Sequence, residues 1–361
     1  MISQHRLLVA FAAAITLVTA TASDAAARGK PAAGTASASS YERRADVRAF
    51  IDELVREHGF PRAELKRWFR DVRYQPKIIE AMQRPLVEPP KWFEYAPQFL
   101  SEARVDGGVA FWREHAAALA RAEAEFGVPA EIIVAIIGVE TFYGRNAGGY
   151  RVIDALTTLA FDYPRRATFF RGELREFLLL ARDEGFSPLV VKGSFAGAFG
   201  VPQFMPGSVR RYAIDYDGDG HIDLWNSGDD AIGSVANYLA RHDWLRDQPI
   251  WSPATIAASQ RDAALAKLDG GISERRPLAA WNADGVAAER LPDPMSPEPV
   301  GLLALEESPD VDGEQLRLLV VFPNFYVITR YNKSRLYAAA VTSLAEAIRA
   351  KFEVPADSAL R

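Results

Sequence analysis

Residues 128–145, VPAEIIVAIIGVETFYGR, constrain the fold of this chain most, because they combine the signals of a helix with a nearly unbroken apolar face. Pro129 and Glu131 are typical of a helix start, and Gly144 is typical of a helix end. Four isoleucines recur between these signals at helical spacing: Ile132, Ile133, Ile136 and Ile137. Glu140 continues the same face, so the sequence predicts a helix that turns a carboxyl group toward the core.

Glu140 in this position is either a functional acid or a structural one. Desolvation against the isoleucines and the negative end of the helix both raise the pKa of a carboxyl group placed there. A carboxyl group that stays protonated near neutral pH can act as a general acid. The alternative is that Glu140 pairs with Arg145 or another cation and only fixes the helix. These residues alone leave both interpretations open.

The composition is that of an ordinary soluble globular protein. The chain has 361 residues, of which 49% are hydrophobic and 25% charged, and its formal net charge is -5. This length is enough for two or three domains with a substantial core. Because there is no surplus of basic residues, we expect no nucleic-acid partner.

The N-terminus is typical of a secretory signal peptide, which we predict over residues 1–27. Arg6 precedes an apolar run over residues 7–18, and small residues at 20–22 or 25–27 fit a cleavage site. A run of about 12 apolar residues is too short to span a bilayer, although a retained, uncleaved anchor is the alternative. The chain has no cysteine, which excludes disulfides and a lipid-modified N-terminal cysteine. We therefore expect an extracytoplasmic protein with no transmembrane anchor after signal cleavage.

The remaining chain divides into parts that differ in composition and in the spacing of their apolar residues. Residues 28–42 are rich in Ala, Ser and Gly and predict a flexible leader. Short amphipathic helices predict a helical N-terminal domain over 43–126, followed by a core over 127–250 that holds the central helix. Prolines separate short apolar runs over 251–330 and predict a small β-domain, and 331–361 predict a C-terminal helix that returns to the core. The predicted strands of the β-domain are Val300–Leu305, Leu316–Phe322 and Tyr326–Tyr331.

Residues 215–225, DYDGDGHIDLW, match the start of an EF-hand calcium loop. Asp215, Asp217 and Asp219 occupy the first, third and fifth positions, where three hard oxygens alternate along a turning chain. Glycine at the sixth position permits the sharp turn, and His221 at the seventh offers its backbone carbonyl rather than its ring.

The calcium-loop match fails at the twelfth position, where Asn226 stands in place of the bidentate glutamate. Asp229 and Asp230 follow three and four residues later, so a longer loop closed by one of them is expected. The alternative is a solvated acidic turn without metal, although three aspartates this close repel one another unless a cation is present.

Three further stretches carry candidate binding residues. Residues 192–206, KGSFAGAFGVPQFMP, are dense in small residues, which lets the backbone approach a ligand closely. They lack the Lys and Ser/Thr ending of a phosphate loop. Arg165 and Arg166 follow a proline and form either a solvated loop or a site for an anionic group. Tyr95, in an aromatic loop, is either a core residue or a ligand contact.

The GVETFYG motif at 138–144, the segment 197–206 and the extended acidic loop together resemble the lytic murein transglycosylase B family, relatives of goose-type lysozyme. The resemblance runs from about Arg43 to the C-terminus. It implies an α+β, mainly α fold, with a lysozyme-like core, an EF-hand-like calcium loop, a helical N-terminal domain and a small β-domain. The family's members are periplasmic enzymes of Gram-negative bacteria, soluble or lipid-anchored, and the absence of cysteine favours the soluble form.

The resemblance implies that Glu140 is the family's single catalytic carboxylate. The family cleaves the β-1,4 bond between N-acetylmuramic acid and N-acetylglucosamine in peptidoglycan without water and leaves a 1,6-anhydromuramoyl end. Glu140 would first protonate the glycosidic oxygen and then accept the proton of the muramoyl C6 hydroxyl. Most glycosidases need two carboxylates, but one suffices where the substrate's own acetamido and hydroxyl groups do the rest.

The resemblance also implies binding residues, because the family's residue types recur in this sequence. Ser194 matches a residue that hydrogen-bonds the acetamido group, Gln203 lines the cleft near the acid, and the arginines suit the lactyl carboxylate. The implied substrate-binding set is Tyr95, Arg165, Arg166, Ser194, Gln203, Phe204, Met205, Tyr238, Tyr331 and Tyr337. The implied ligands of a structural Ca²⁺ are Asp215, Asp217, Asp219, the His221 carbonyl and Asp230, with Asp229 as the alternative closing residue.

We therefore predict a calcium-stabilised periplasmic lytic transglycosylase with no organic cofactor. Its expected partners are peptidoglycan glycan strands, and other cell-wall enzymes are further candidates. Two alternatives stay open at this point: a hydrolytic muramidase of the same fold, and a non-catalytic peptidoglycan-binding or calcium-binding protein.

Overall fold

The computed structural model describes residues 40–84, 89–292, 294–308 and 315–354. The predicted signal peptide lies outside the described residues, as does most of the predicted leader. Within the described ranges, no helix has the length and apolar character needed to cross a membrane.

The structure is mostly helical, as the sequence predicts. The α-helices of the described residues are α1 (Ala45–His58), α2 (Arg62–Asp71), α3 (Pro76–Gln83), α4 (Trp92–Tyr95), α5 (Glu102–Glu114), α6 (Ala116–Phe126), α7 (Ala130–Thr141), α8 (Val152–Asp162), α9 (Ala167–Asp183), α10 (Pro206–Tyr212), α11 (Gly228–Ala240), α12 (Arg261–Leu265), α13 (Leu278–Ala283), α14 (Pro323–Tyr331) and α15 (Arg335–Phe352). Short 3₁₀ helices occupy Tyr41–Arg43, Ala96–Gln98, Pro164–Arg166 and Ala258–Gln260.

Two small antiparallel sheets accompany these helices. The strands are β1 (Tyr150–Arg151), β2 (Lys192–Gly193), β3 (Trp251–Ile256), β4 (Leu268–Asp269), β5 (Ile272–Ser273), β6 (Val286–Ala288), β7 (Gly301–Glu306) and β8 (Leu316–Val321). β1 pairs with β2, and the other six strands form one sheet in the order β4-β5-β7-β8-β3-β6. The register of β7 and β8 sets Gly301 opposite Val321 and Glu306 opposite Leu316.

The central helix is α7. Every residue of α7 is buried except Glu131 and Glu140, so the helix is apolar all round rather than along one face. It packs against α5, α6, α11 and α15, which surround it. The helix predicted from the isoleucine pattern is therefore confirmed, and its two carboxyl groups stand out in an otherwise buried element.

One apolar core extends from Tyr41 to Ile348 and contains side chains of the predicted N-terminal part, the central part and the C-terminal helix. The six-stranded sheet adds a second, smaller cluster around Trp281, Val286 and Phe322. The division of the chain into a separate N-terminal domain and catalytic core stays a prediction, since the buried side chains of both belong to one cluster.

The strand predicted at Tyr326–Tyr331 is wrong, because these residues form the greater part of α14. Pro323 occupies the first turn, where its fixed φ favours a helix and its missing N–H costs nothing. Phe325 and Ile328 are fully buried at helical spacing. The β-branched residues at 327–329 suggested a strand, but tertiary packing overrides that local preference.

The predicted leader also extends too far. Tyr41, which falls inside it, is buried and belongs to a 3₁₀ helix. Its hydroxyl donates to Asp162 at 2.5 Å, and Arg44 pairs with the same carboxylate at 2.6 Å. These contacts fasten the start of the described chain to the end of α8.

Candidate active site

Glu140 lies in the last turn of α7 and keeps part of its side chain exposed. The hydroxyl of Tyr337, from α15, donates a hydrogen bond of 2.6 Å to its Oε1 atom. Burial raises the pKa of Glu140 to about 7, and the hydrogen bond from Tyr337 acts in the opposite direction. The carboxyl group is therefore present in both protonation states near neutral pH, as a group that alternates between acid and base requires.

A structural ion pair does not account for Glu140. Arg145, the partner that the sequence suggests, is exposed, and its guanidinium lies 5.1 Å from the ring centre of Phe142. Among the described residues, no cation pairs with Glu140, and no second acidic group contributes to its pKa. The site holds one carboxyl group with a tyrosine as its hydrogen-bond partner.

Four tyrosines from four different helices surround this carboxyl group. Tyr95 comes from α4, Tyr238 from α11, Tyr331 from α14 and Tyr337 from α15. Burial raises the pKa of each of them, to about 12 for Tyr95, and the charge of Glu140 adds to the effect. Their hydroxyl groups therefore stay protonated, and each can donate a hydrogen bond.

Ring contacts and hydrogen bonds fix these tyrosines. The ring centres of Tyr238 and Tyr331 lie 4.9 Å apart, and those of Tyr331 and Tyr337 lie 6.4 Å apart in nearly parallel planes. Tyr331 donates to the Pro202 carbonyl at 2.6 Å, and Tyr238 donates to the Arg330 carbonyl at 2.7 Å. The site is therefore preorganised before any ligand binds.

The glycine-rich segment at 192–206 reaches the tyrosines through Phe204. Its buried ring lies 5.4 Å from Tyr238 and 5.7 Å from Tyr331, centre to centre. Met205 follows at the start of α10, and Ser194 accepts a 3.1 Å hydrogen bond from the Ala198 amide. The segment therefore packs through Phe204 against the tyrosines of α11 and α14.

Gln203 is held in one orientation. Its backbone has a φ of 51°, in the left-handed region. Its amide nitrogen donates to the carbonyl oxygens of Ala147 at 3.1 Å and Gly200 at 3.0 Å. Because both amide hydrogens are used in this way, the free group of the side chain is the acceptor Oε1.

Arg165 and Arg166 are not joined to the Glu140 group by any hydrogen bond, ion pair or ring contact of the described residues. Arg165 is exposed on the 3₁₀ turn before α9. The guanidinium of Arg166 lies 4.3 Å from the ring centre of Phe169 and 5.4 Å from that of Phe170. Its Nη1 is buried and has no hydrogen-bond partner, and burial lowers the pKa of the side chain.

Sequence reasoning missed Thr141, which adjoins Glu140 and is fully buried. Its hydroxyl donates to the Val201 carbonyl at 2.8 Å and accepts from the Gly144 amide at 3.0 Å. Thr141 thus fastens the end of α7 to the glycine-rich segment. A polar residue that directly follows the acid at the end of an apolar helix was the available signal.

The acidic loop brings three carboxylates together. Asp215, Asp217 and Asp230 each place one oxygen within 4.8 Å of the others. Asp230 is buried and accepts hydrogen bonds from the amides of Tyr216 at 2.7 Å and Asp223 at 2.8 Å. Hard carboxylate oxygens in such a group are the ligands that Ca²⁺ prefers.

The other predicted metal ligands are placed differently. Asp229 turns away from the loop and lies 3.1 Å from Nδ1 of His115. Asp219 is outside the three-carboxylate group and accepts a hydrogen bond from the His221 amide at 2.8 Å. Of the two candidates for closing the loop, Asp230 is the one whose carboxylate faces Asp215 and Asp217.

Replacing Tyr337 by phenylalanine is expected to shift the alkaline limb of the kcat/KM profile upward. The hydrogen bond from Tyr337 lowers the pKa of Glu140, so its loss raises that pKa further above about 7. A hydrogen bond to a charged group contributes about 1.5–3 kcal/mol, which corresponds to a shift of about 1–2 pH units. The pH dependence of kcat/KM measures this shift.

Tyr238→Phe provides the matched control for that experiment. Its hydroxyl donates to the Arg330 carbonyl and not to Glu140. We expect its alkaline limb to stay close to that of the unmodified protein. An unchanged limb in Tyr337→Phe would contradict the assigned hydrogen bond.

The fold and the site together define a class of enzyme. A mainly helical fold carries one carboxyl group of raised pKa in the last turn of its central helix. Aromatic rings of the kind that contact the apolar faces of sugars surround this group. This arrangement is typical of enzymes that break glycosidic bonds by acid catalysis.

The transglycosylase SLT domain family matches residues 42–346 of the chain. The chain belongs to this family and is a lytic murein transglycosylase. It is 42% identical over 313 residues to membrane-bound lytic murein transglycosylase B of Escherichia coli strain K12, covering 84% of this chain and 82% of the relative.

Solved structures give the same result. The soluble lytic transglycosylase SltB1 of Pseudomonas aeruginosa is 48% identical, with a TM-score of 0.77 and coverage of 84% of this chain and 98% of that one. Escherichia coli SLT35 in complex with calcium is 40% identical, with a TM-score of 0.76 and coverage of 84% and 93%. SltB3 of Pseudomonas aeruginosa, in complex with NAG-anhNAM-pentapeptide, is 30% identical, with a TM-score of 0.72 and coverage of 84% and 79%.

Proposed function

We propose that this enzyme cleaves the bond between N-acetylmuramic acid and N-acetylglucosamine in peptidoglycan without water, with Glu140 as its single catalytic residue. The observation that carries the proposal is the environment of this carboxyl group. Its pKa is raised to about 7, Tyr337 donates to it, and no second acidic group influences it. A mechanism with a single carboxyl group fits this environment, because no other acidic group shifts the pKa of Glu140.

In the first step, protonated Glu140 gives its proton to the glycosidic oxygen as the bond from this oxygen to C1 breaks. The acetamido group of the muramoyl residue stabilises the positive charge that develops at C1. Tyr337 then donates a hydrogen bond to the carboxylate that forms on Glu140. This bond stabilises the carboxylate, so Glu140 releases its proton more readily.

In the second step, the muramoyl C6 hydroxyl attacks C1 and its proton passes to the Glu140 carboxylate. The new bond from C6 oxygen to C1 closes the 1,6-anhydro ring, and the enzyme returns to its protonated state. No water is consumed, so the chemistry balances with one carboxyl group. A group with a pKa of about 7 suits both steps because neither protonation state is strongly disfavoured.

The proposed substrate contacts fall into three types. The tyrosines and Phe204 offer ring faces for sugar rings, and Gln203 offers an acceptor for a hydroxyl or N–H group. Ser194 is the proposed partner of the acetamido group, and Arg166, with its unpartnered nitrogen, is the proposed partner of the lactyl carboxylate. The full proposed set is Tyr95, Arg165, Arg166, Ser194, Gln203, Phe204, Met205, Tyr238, Tyr331 and Tyr337.

Mass spectrometry of the products from purified sacculi tests the proposal. Muropeptides with 1,6-anhydromuramoyl ends are expected, each lighter by one water than the hydrolytic product. Free reducing muramic acid would indicate a muramidase, and intact strands would indicate a binding protein. Either outcome would overturn the proposed reaction.

We also propose that the acidic loop binds a structural Ca²⁺ through Asp215, Asp217, Asp219, the His221 carbonyl and Asp230. The three carboxylates within 4.8 Å of one another support the site, and so does the calcium complex of SLT35. Asp219 is assigned by its place in the loop, at the fifth position of the pattern. Its hydrogen bond to the His221 amide is a local loop contact of an exposed residue.

Calcium is expected to raise the melting temperature of chelated protein, because it binds the folded loop only. At a calcium concentration of about 100 times Kd, the free energy of unfolding increases by about 2.7 kcal/mol. Asp217→Ala should abolish the increase. Asp262→Ala, an exposed acid far along the chain in α12, should retain it. An unchanged melting temperature of the unmodified protein on adding calcium would contradict the proposed calcium site.

The proposed location of the enzyme is the periplasm, where its substrate lies. Export would use the predicted signal peptide at residues 1–27, and N-terminal sequencing of the exported protein would give the cleavage site. The expectation that other cell-wall enzymes are partners stays a prediction.

A further inference from the structure

Arg104, in α5, is a cation held between aromatic rings beside the turn that follows Glu140. Its guanidinium carbon lies 4.9 Å from the ring centre of Phe142 and 5.5 Å from that of Phe99. Its Nε atom is buried without a hydrogen-bond partner, and burial lowers the pKa of the side chain. No carboxylate pairs with it in the part of the chain that the structure describes. A poorly solvated cation without an acidic partner destabilises a fold. We therefore expect Arg104 to have a functional role that offsets this cost.

Arg104 contacts both sides of Glu140 along the chain. One of its terminal nitrogens donates to the carbonyl of Gly138, two residues before the acid. Its own backbone carbonyl accepts a 2.7 Å hydrogen bond from the hydroxyl of Tyr143, three residues after it. Together with the contact to Phe142, these interactions enclose the last turn of α7.

The turn that Arg104 holds is strained. Phe142 has a φ of 52° and Tyr143 a φ of 60°, in the left-handed region that side chains with a Cβ rarely adopt. The ring of Tyr143 lies so close to Gly107 and Gly138 that a Cβ at either position would come within 3 Å of it. A conformation of this kind persists only where surrounding groups stabilise it.

Arg104 also connects this turn to another wall of the site. The ring of Phe99, on which its guanidinium lies, has its centre 4.9 Å from that of Tyr95. The contacts therefore run from Tyr95 through Phe99 and Arg104 to Phe142, next to the acid. The two ends of this chain of contacts are a proposed sugar-binding ring and the turn that follows the proposed catalytic residue.

We propose that Arg104 is a positioning residue that fixes the Glu140 carboxyl group against Tyr95. This inference rests on the proposed catalytic role of Glu140. Arg104 does not influence the pKa of Glu140, which burial and Tyr337 determine. Its effect is therefore geometric: loss of the guanidinium lets the turn relax and moves the carboxyl group relative to the bound strand. A displacement of about 1 Å at a reacting group lowers the rate about 10²-fold.

Steady-state kinetics of Arg104→Met on soluble glycan strands test this role. Methionine keeps an unbranched apolar stem for the rings but removes the hydrogen bond to Gly138. We expect kcat to fall about 10- to 100-fold, KM to change less than threefold and the alkaline limb of the pH profile to keep its midpoint. In Arg104→Ala, added guanidinium chloride at millimolar concentration should restore part of kcat, because the ion can take the position over the two rings that the Arg104 guanidinium occupies.

Arg113→Met is the matched control, since Arg113 lies on the same helix, is exposed and has its guanidinium 5.9 Å from the ring centre of Phe352. It should keep normal kcat and show no response to guanidinium. A normal kcat in Arg104→Met would overturn the proposal. So would a loss of activity that only follows the unfolded fraction, measured by circular dichroism, or an absence of guanidinium rescue in folded Arg104→Ala. Full activity of Glu140→Gln would instead refute the proposed function itself.

Discussion

Replacement of Glu140 by glutamine is expected to reduce the rate of glycan cleavage roughly 10³-fold or more while the protein stays folded and binds glycan strands. Glutamine has nearly the same volume as glutamate and can still accept a hydrogen bond from Tyr337. It can neither release a proton to the glycosidic oxygen nor take one from the C6 hydroxyl, so both proposed steps fail. Release of anhydro muropeptides and a cell-wall pull-down, measured on the same preparation, separate turnover from binding.

Glu131→Gln is the matched control for this variant. Glu131 is the other partly exposed acid of α7, and it forms two hydrogen bonds with Arg349, at 2.8 and 2.7 Å. Its loss should lower stability slightly and leave turnover within about twofold, as is usual for a partly exposed ion pair. The assigned role of Glu140 would be wrong if its amide variant digested sacculi at the normal rate, or if binding fell in parallel with turnover.

The sequence predicted the parts of this site that depend on neighbours along the chain. The isoleucine spacing located the buried helix and set Glu140 on it, because helical periodicity follows from local geometry. The aspartate spacing of the acidic loop is a local pattern of the same kind, and the calcium site that it indicates stays a prediction. The structure shows the carboxylate of Asp230, and not that of Asp229, near Asp215 and Asp217, a difference that depends on how the start of α11 turns.

Contacts between distant parts of the chain were not predictable from local patterns. Tyr337 is 197 residues from Glu140, and no periodicity indicates that its hydroxyl contacts this carboxyl group. The family resemblance supplied Tyr337 as a substrate contact, whereas the structure makes it the hydrogen-bond partner of the acid. Nothing in the sequence indicated that Arg104 lies beside the turn after Glu140, because an arginine in an amphipathic helix is most often solvated.

The same lack of long-range information explains the wrong strand at Tyr326–Tyr331. Its β-branched residues favour a strand locally, while Pro323 and the buried face of α14 determine the helix. This error had consequences for the site, because Tyr331 projects from the end of that helix. Its position beside Tyr238 and Phe204 depends on helical rather than extended geometry.

The burial that raises the pKa of Glu140 should also make the protein less stable at neutral pH than the Glu140→Gln variant. In the unfolded chain the carboxyl group titrates near its ordinary value of 4.5, and in the folded protein near 7. Below pH 4.5 both states are protonated and nothing is lost. As the pH rises from about 4.5 to 7, the unfolded state gives up its proton first, so the free energy of unfolding falls by about 3 kcal/mol in total. Above pH 7 the loss is complete and constant.

Glutamine does not titrate, so the difference between the two proteins isolates this one group from all other acids and bases. We expect urea unfolding of both proteins at pH 5, 6, 7 and 8 to give a difference that grows with pH up to about 7 and then levels off. A difference that is independent of pH would mean that the carboxyl group is solvated enough to titrate normally. It would then be ionised at neutral pH and unable to serve as the acid. The pH-dependent loss in the free energy of unfolding at Glu140 thus measures how strongly the folded protein keeps this carboxyl group protonated, as the proposed acid step requires.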